Sequence, residues 1–210
     1  MTSDEPLVTE LRRLNVKTAI LFVVLVLISL CAGSLQVSSA GSSQDSVQYK
    51  GDQLVRPSDY REWVFVSSGL RLSNNPSPAE GATFTNVFVT PSAYHQFLAT
   101  GTWPDKTVLV QESRSSSNQG SLNKASQYQA DLVGISVKVK DAARYPDQWA
   151  YFSFDASAQT AKAKPKAACW QCHHDQGAVD STYVQFYPTL KPVAQKFGTM
   201  HESGAGGKSY

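Results

Sequence analysis

The sequence predicts a β-rich α+β fold: an antiparallel sheet with a few short helices and a Cys-x-x-Cys-His motif near the C-terminus. Three observations make that prediction. Val133, Ile135, Val137 and Val139 alternate with Gly134, Ser136, Lys138 and Lys140, the period-two pattern of a strand. Several other runs are short, aromatic or β-branched, and separated by turn residues. Helical spacing is confined to brief stretches, which argues against a helical bundle.

The chain has 210 residues, enough for one domain with its own core. Residues 1–40 carry a targeting pattern. Arg12, Arg13 and Lys17 precede an apolar stretch from Ala19 to Leu30, followed by small residues through Ala32, Gly33 and Ser34. Two readings follow: a signal peptide cleaved near Ser38-Ser39-Ala40, or an N-terminal membrane anchor that is retained. Leu30 is too bulky before Cys31 for a lipoprotein signal. Either reading puts the domain in the periplasm. Residues 41–57, rich in Ser, Gln and Gly, are expected to be a flexible lead-in. The domain proper is expected over 58–197, with a Gly-rich flexible tail over 198–210.

Within the domain, Tyr60 to Val66 is aromatic and β-branched enough for a strand or a helix-to-strand entry. Asn74-Asn75-Pro76-Ser77-Pro78 is a turn-rich loop. Ala82 to Val89 reads as a strand. Thr90 then offers an N-cap, Pro91 fits a first helical turn, and Ala93, Tyr94, Phe97 and Leu98 lie at helical spacing until Gly101. Thr107 to Glu112 is a strand, and Ser113 to Gln129 is expected to be a long mobile loop. The alternating strand follows, and then an aromatic one from Gln148 to Phe154. Lys162, Lys164 and Lys166 sit in a linker. Asp180 is expected to cap a helix through Tyr183, Val184 and Tyr187 that stops at Pro188.

Cys169-Trp170-Gln171-Cys172-His173 carries the chemistry. Two thiols three positions apart can each add to one vinyl group of a porphyrin, and the adjacent histidine can ligate the iron. Cys169 and Cys172 are therefore assigned to thioether bonds and His173 to the axial position of one covalent haem c. A zinc site needs ligands from a second chain segment, and His95 and His201 are isolated. A Cys-x-x-Cys redox pair opens a helix within a βαβ unit, a context this chain lacks. His174, next to the axial ligand, cannot reach the other face of the ring. Met200 is the one methionine beyond the targeting segment; as a sixth ligand it would make a low-spin electron carrier, and otherwise it is a tail residue. Without a strong sixth ligand the iron has an open position for a small molecule. A net charge of only +2 argues against nucleic acid as a partner.

Several short segments in the same order give the chain a resemblance to cytochrome P460 and its relative cytochrome c′-β. They are Tyr60-Arg61-Glu62-Trp63-Val64, Thr90 to Tyr94 with Thr100-Gly101, Thr107 to Glu112, Gly134-Ile135 with Val139-Lys140-Asp141, Trp149 to Phe152, Cys169 to His173, and Phe186-Tyr187-Pro188. The resemblance implies a β-rich homodimer with a five-coordinate c-type haem that binds or oxidises small nitrogen compounds. Hydroxylamine-oxidising members carry a lysine cross-linked to the porphyrin and a distal glutamate. Those positions are Gln111 and Ser136 here. An amide cannot form the amine bond, and a serine hydroxyl cannot take up a proton as a carboxylate does. Lys138 shares a face with Ser136 but lies ~6.6 Å further along the strand, and Glu112 points away from Gln111. Cytochrome c′-β keeps the fold without the cross-link and caps the distal side with aromatic residues. Phe84, Phe88 and Trp103 are candidates for such caps, with ordinary core packing as the alternative. The lysines at 162, 164 and 166 suit either a redox partner protein or a solvated linker. The expected function is binding of nitric oxide or a related ligand, with hydroxylamine or nitric oxide oxidation and electron transfer as alternatives.

Overall fold

The computed structural model of the chain describes residues 47–72, 82–120, 123 and 125–201. The expected targeting segment, the expected Asn74–Pro78 loop and residues 202–210 lie outside them.

The central layer is a five-stranded antiparallel sheet in the order β3-β4-β5-β6-β7: Val64–Leu70, Thr83–Val89, Val108–Ser117, Tyr128–Lys140 and Trp149–Asp155. Each strand pairs with its sequence neighbour, as short connections favour. A second sheet of three short strands joins β1 (Tyr49–Lys50), β2 (Gln53–Val55) and β8 (Thr160–Lys162). Among the described residues three α-helices accompany the sheets: α1 (Pro91–Thr100), α2 (Lys166–Gln176) and α3 (Lys191–Phe197).

Cross-strand register sorts the side chains of the central sheet onto two faces, because paired residues point the same way and neighbours along a strand point oppositely. One row runs Val89, Leu109, Lys138, Tyr151; the next row on the same face runs Val87, Gln111, Ser136, Ser153. The opposite face carries Phe88, Val110, Val137 and Phe152. Both faces are covered, but by different things. Leu54 of β2, Tyr60 and Trp63 close over Val110, Val137 and Phe152. Helix α1 and the C-terminal segment pack Phe97, Val184, Tyr187, Leu190 and Ala194 onto Leu109 and Tyr151. Phe97 is fully buried and its ring lies 4.3 Å from that of Trp103, so its loss would cost about 3–5 kcal/mol.

Helix α1 follows its sequence signals with one exception. Gly101 adopts φ 73° and its N–H bonds to the Phe97 carbonyl at 2.8 Å, a left-handed cap open to a residue without Cβ. Thr90 supplies no side-chain cap; its hydroxyl is buried without a partner.

Four expectations are corrected. The segment 41–57 is not all lead-in: β1 and β2 lie in it, and Leu54 is fully buried. The stretch 113–129 is not all loop, since β5 extends to Ser117 and β6 starts at Tyr128; the polar composition hid a hairpin whose side chains face solvent. The lysine linker is largely structured, with Lys162 ending β8 and Lys166 opening α2. Asp180 caps no α-helix through Tyr183, Val184 and Tyr187. Asp180 and Ser181 have φ of 47° and 56° and form the tip of a tight turn closed by Val179 and Thr182, followed only by a 3-10 turn at Val184–Phe186.

Candidate functional site

The Cys-x-x-Cys-His motif lies on α2. Helical spacing sets Cys169 and Cys172 one turn apart, and His173 follows on the adjoining side. The helix buries none of its own side chains fully. Cys169 and Trp170 nonetheless rest against the core that lies on the Leu109–Tyr151 face of the sheet.

His173 is held on three sides. Its ring centroid lies 4.8 Å from Tyr151 and 4.6 Å from Tyr183, both tilted. Its Nδ1 is 3.3 Å from the carbonyl oxygen of Ser181. A proton on Nδ1 donated to that carbonyl leaves the Nε2 lone pair for a metal. Burial, followed by the positive charge of Lys138, pushes the imidazole down from 6.5 to about 4, against the opposing effect of the Ser181 hydrogen bond. The ring is therefore neutral at pH 7, the form that ligates. Tyr183 also places its hydroxyl 3.4 Å from Cys172 Sγ. Burial raises the thiol of Cys169.

Beneath the histidine lies a polar layer that sequence reading missed. Lys138 is buried, at 7% exposure, and its Nζ donates to the same Ser181 carbonyl that faces His173. Its ammonium lies 4.1 Å from the centroid of Trp149 and 5.2 Å from that of Tyr151. Burial drives its pKa well down, and the charge of Asp180 acts in the other direction. Asp180 itself accepts from Lys140 at 2.6 Å and from Trp149 Nε1 at 3.1 Å. The left-handed turn at Asp180–Ser181 is what presents both groups: the carboxylate to Lys140, the next carbonyl to Lys138 and His173. Alternation along β6 did mark Lys138 and Lys140 as one face; nothing in the sequence showed that this face is covered.

Gln111 and Ser136 are brought together. They are directly paired across β5 and β6, both exposed, and they sit one row along the sheet from Lys138 and Tyr151, on the same face. Ser153 continues that row. Phe84 and Phe88 are not in it. They lie on the opposite face, where Phe88 packs edge-on to Tyr60 at 5.5 Å and to Phe65 at 5.7 Å. Strand alternation turns them to the face opposite Lys138 and Tyr151, whereas Val87 shares the face of Gln111 and Ser136. Trp103 is on the helix-covered side, but it is 2% exposed and donates its Nε1 to Thr182 Oγ1 at 2.8 Å, the signature of a packed core residue.

The remaining candidates fall into place around this. Glu112 points away from Gln111 and accepts from Tyr60, Arg61 and Arg114. His174 is exposed, stacks on Trp170 at 4.4 Å and pairs with Asp175 at 3.0 Å. His95 and His201 are exposed. Met200 packs against the same core as Cys169. Lys162 pairs with Asp52 at 3.3 Å and Lys166 with Asp147 at 2.6 Å. Among the described residues, no group of three or more His, Cys, Asp or Glu gathers in a way that could hold a metal ion.

A flat haem suits what these residues leave undone. The phenol of Tyr151 is buried with no hydrogen-bond partner. Helix α2 carries partly exposed cysteines and an imidazole oriented against Tyr151 and Tyr183, with none of its side chains fully buried. The row Gln111, Ser136, Ser153 on the same sheet face is open. Two thiols at thioether spacing, a nitrogen ligand with its tautomer set, and uncovered surface beside them match the donor set of a c-type haem. Residues 57–184 match the sequence model of the family described as Cytochrome P460. No curated protein matches the chain.

Proposed function

Because the chain belongs to the cytochrome P460 family, a family of c-type haem proteins, we propose that it is a periplasmic mono-haem cytochrome that binds nitric oxide or a related small nitrogen ligand. Cys169 and Cys172 would hold the haem through thioether bonds, and His173 would ligate its iron. The observation that carries the reading is the paired, exposed Gln111 and Ser136 on the sheet face that also backs His173. Bound there, the haem supplies an iron with one open coordination position.

The chain's own residues then do three things. Tyr151 and Tyr183 fix the plane of the imidazole. The Ser181 carbonyl fixes its tautomer. The uncharged amide of Gln111 and hydroxyl of Ser136 offer hydrogen bonds to a polar diatomic without supplying a base. With no carboxylate at Ser136 and no amine at Gln111, the row lacks the proton acceptor and the cross-link that the resemblance associates with hydroxylamine oxidation.

Absorption spectra of the ferric and ferrous protein, with and without NO and CO, test the proposal. A high-spin ferrous spectrum that changes on adding NO supports it. A ferrous protein that stays six-coordinate and takes up neither gas refutes it. Steady hydroxylamine turnover with an electron acceptor would favour the enzyme reading instead, and Gln111→Lys with Ser136→Glu should move the protein toward it. Met200 is accounted for by core packing, and Met200→Ala should leave the spin state unchanged; loss of a low-spin spectrum in that variant would favour the electron carrier. Export and homodimer formation belong to the same proposal, supported by the basic-apolar-small pattern of residues 1–40 and by the family resemblance.

A further inference from the structure

We propose that Lys138 is a positioning residue that weakens the electron donation of His173 to the haem iron and raises the iron's reduction potential. This rests on the assignment of His173 as axial ligand.

The argument starts from one oxygen atom. The Ser181 carbonyl takes two donors, Lys138 Nζ and His173 Nδ1. The one to His173 is 3.3 Å, longer than the ~2.9 Å usual for N–H···O. A lysine N–H on a carbonyl oxygen draws off the lone-pair density that a second donor would use. His173 is thereby left with a weak hydrogen bond and little imidazolate character. A histidine with a strong acceptor on Nδ1 becomes a better base at Nε2; a histidine with a competed acceptor does not.

Burial keeps that contact in place: Lys138 lies out of water, over the rings of Trp149 and Tyr151. An open iron whose axial histidine pulls weakly keeps its ferrous form, the form with which nitric oxide combines most firmly. Lys138 thus favours the ligand-binding state from beneath the histidine, without touching the ligand.

The test uses the holoprotein and two neutral variants, Lys138→Met and Lys138→Gln. Glutamine retains a donor for the Ser181 carbonyl, and methionine does not. Lys138→Met should lower the midpoint potential, shifting the reduced-to-oxidised ratio at a fixed poise about tenfold, ~59 mV for a one-electron couple, and Lys138→Gln should lower it less. The iron–histidine stretching frequency of the ferrous protein should rise in Lys138→Met and rise less in Lys138→Gln. Lys138→Arg, which keeps charge and donor, should stay close to wild type in both readings and stands in if the methionine variant does not fold. Wild-type potential and stretching frequency in the folded neutral variants overturn the proposal. Failure of the underlying assignment is seen separately, in the wild-type protein, as a ferrous spectrum with no iron–histidine band.

Discussion

Acid should release His173 from a haem iron only near or below pH 4. A proton and the iron compete for the same Nε2 lone pair, because Nδ1 already carries the proton shared with the Ser181 carbonyl. The folded chain lowers the imidazole from 6.5 to about 4, chiefly by burial between Tyr151 and Tyr183 and secondarily through Lys138. The difference, 6.5 − 4, is about 2.5 pH units. At 1.36 kcal/mol per unit it removes about 3 kcal/mol of proton competition from the ligand. The same shift has a sign in folding. Between pH 6.5 and 4 the unfolded chain holds a proton on this residue that the folded one lacks, so the stability contributed is intact above 6.5 and drains as pH falls through that window. The assay is a stepwise acid titration followed in parallel by the haem absorption bands and by far-ultraviolet circular dichroism. Coordination should persist to about pH 4. Release of the histidine with a midpoint above pH 6, while the sheet signal is intact, would refute the reasoning.

Three further outcomes follow from the packing. Arg114→Ala should destabilise the protein by about 3 kcal/mol in denaturant melts, because Glu112, with a side chain only 4% exposed, keeps its charge and loses one of two arginines. Thr90→Val should stabilise it by about 1 kcal/mol, since the change removes a buried hydroxyl that has no partner at nearly constant volume. Gly101→Ala should destabilise it by at least about 1 kcal/mol, because the position has φ 73° and a Cβ would come 2.7 Å from Phe197 Cβ. Equal melting midpoints for either of the first two variants and wild type would show that these groups are hydrated or repartnered.

The central sheet was legible because its strands carry the signals that one buried face imposes. Val133 to Lys140 alternates, and Thr83 to Val89 is β-branched between turns. The same patterning misled where both faces or neither are covered. Lys138 reads as a solvent residue in the alternation, yet it lies beneath the C-terminal segment, which sequence separation hides. Ser113 to Ser117 reads as loop because its strand is half exposed and polar. The motif residues Cys169, Cys172 and His173 were readable from spacing alone. Their supports were not: Tyr151, Tyr183 and the Ser181 carbonyl come from three distant points, and a backbone carbonyl leaves no mark in composition. Asp180 illustrates the limit best. It is a good N-cap residue type, but here it takes φ 47° and tips a turn. Gln111 and Ser136 were placed by resemblance, and their direct pairing across the sheet is what strand register adds.

The absence of a fully buried side chain on α2 bears on its dynamics. A segment with few buried apolar contacts opens at a small fraction of the global unfolding cost. Its hold on the body comes through Cys169, Trp170 and the His173 ring between Tyr151 and Tyr183. Amide exchange should therefore be faster in α2 than in the central sheet, and a group fastened to Cys169 and Cys172 would slow it.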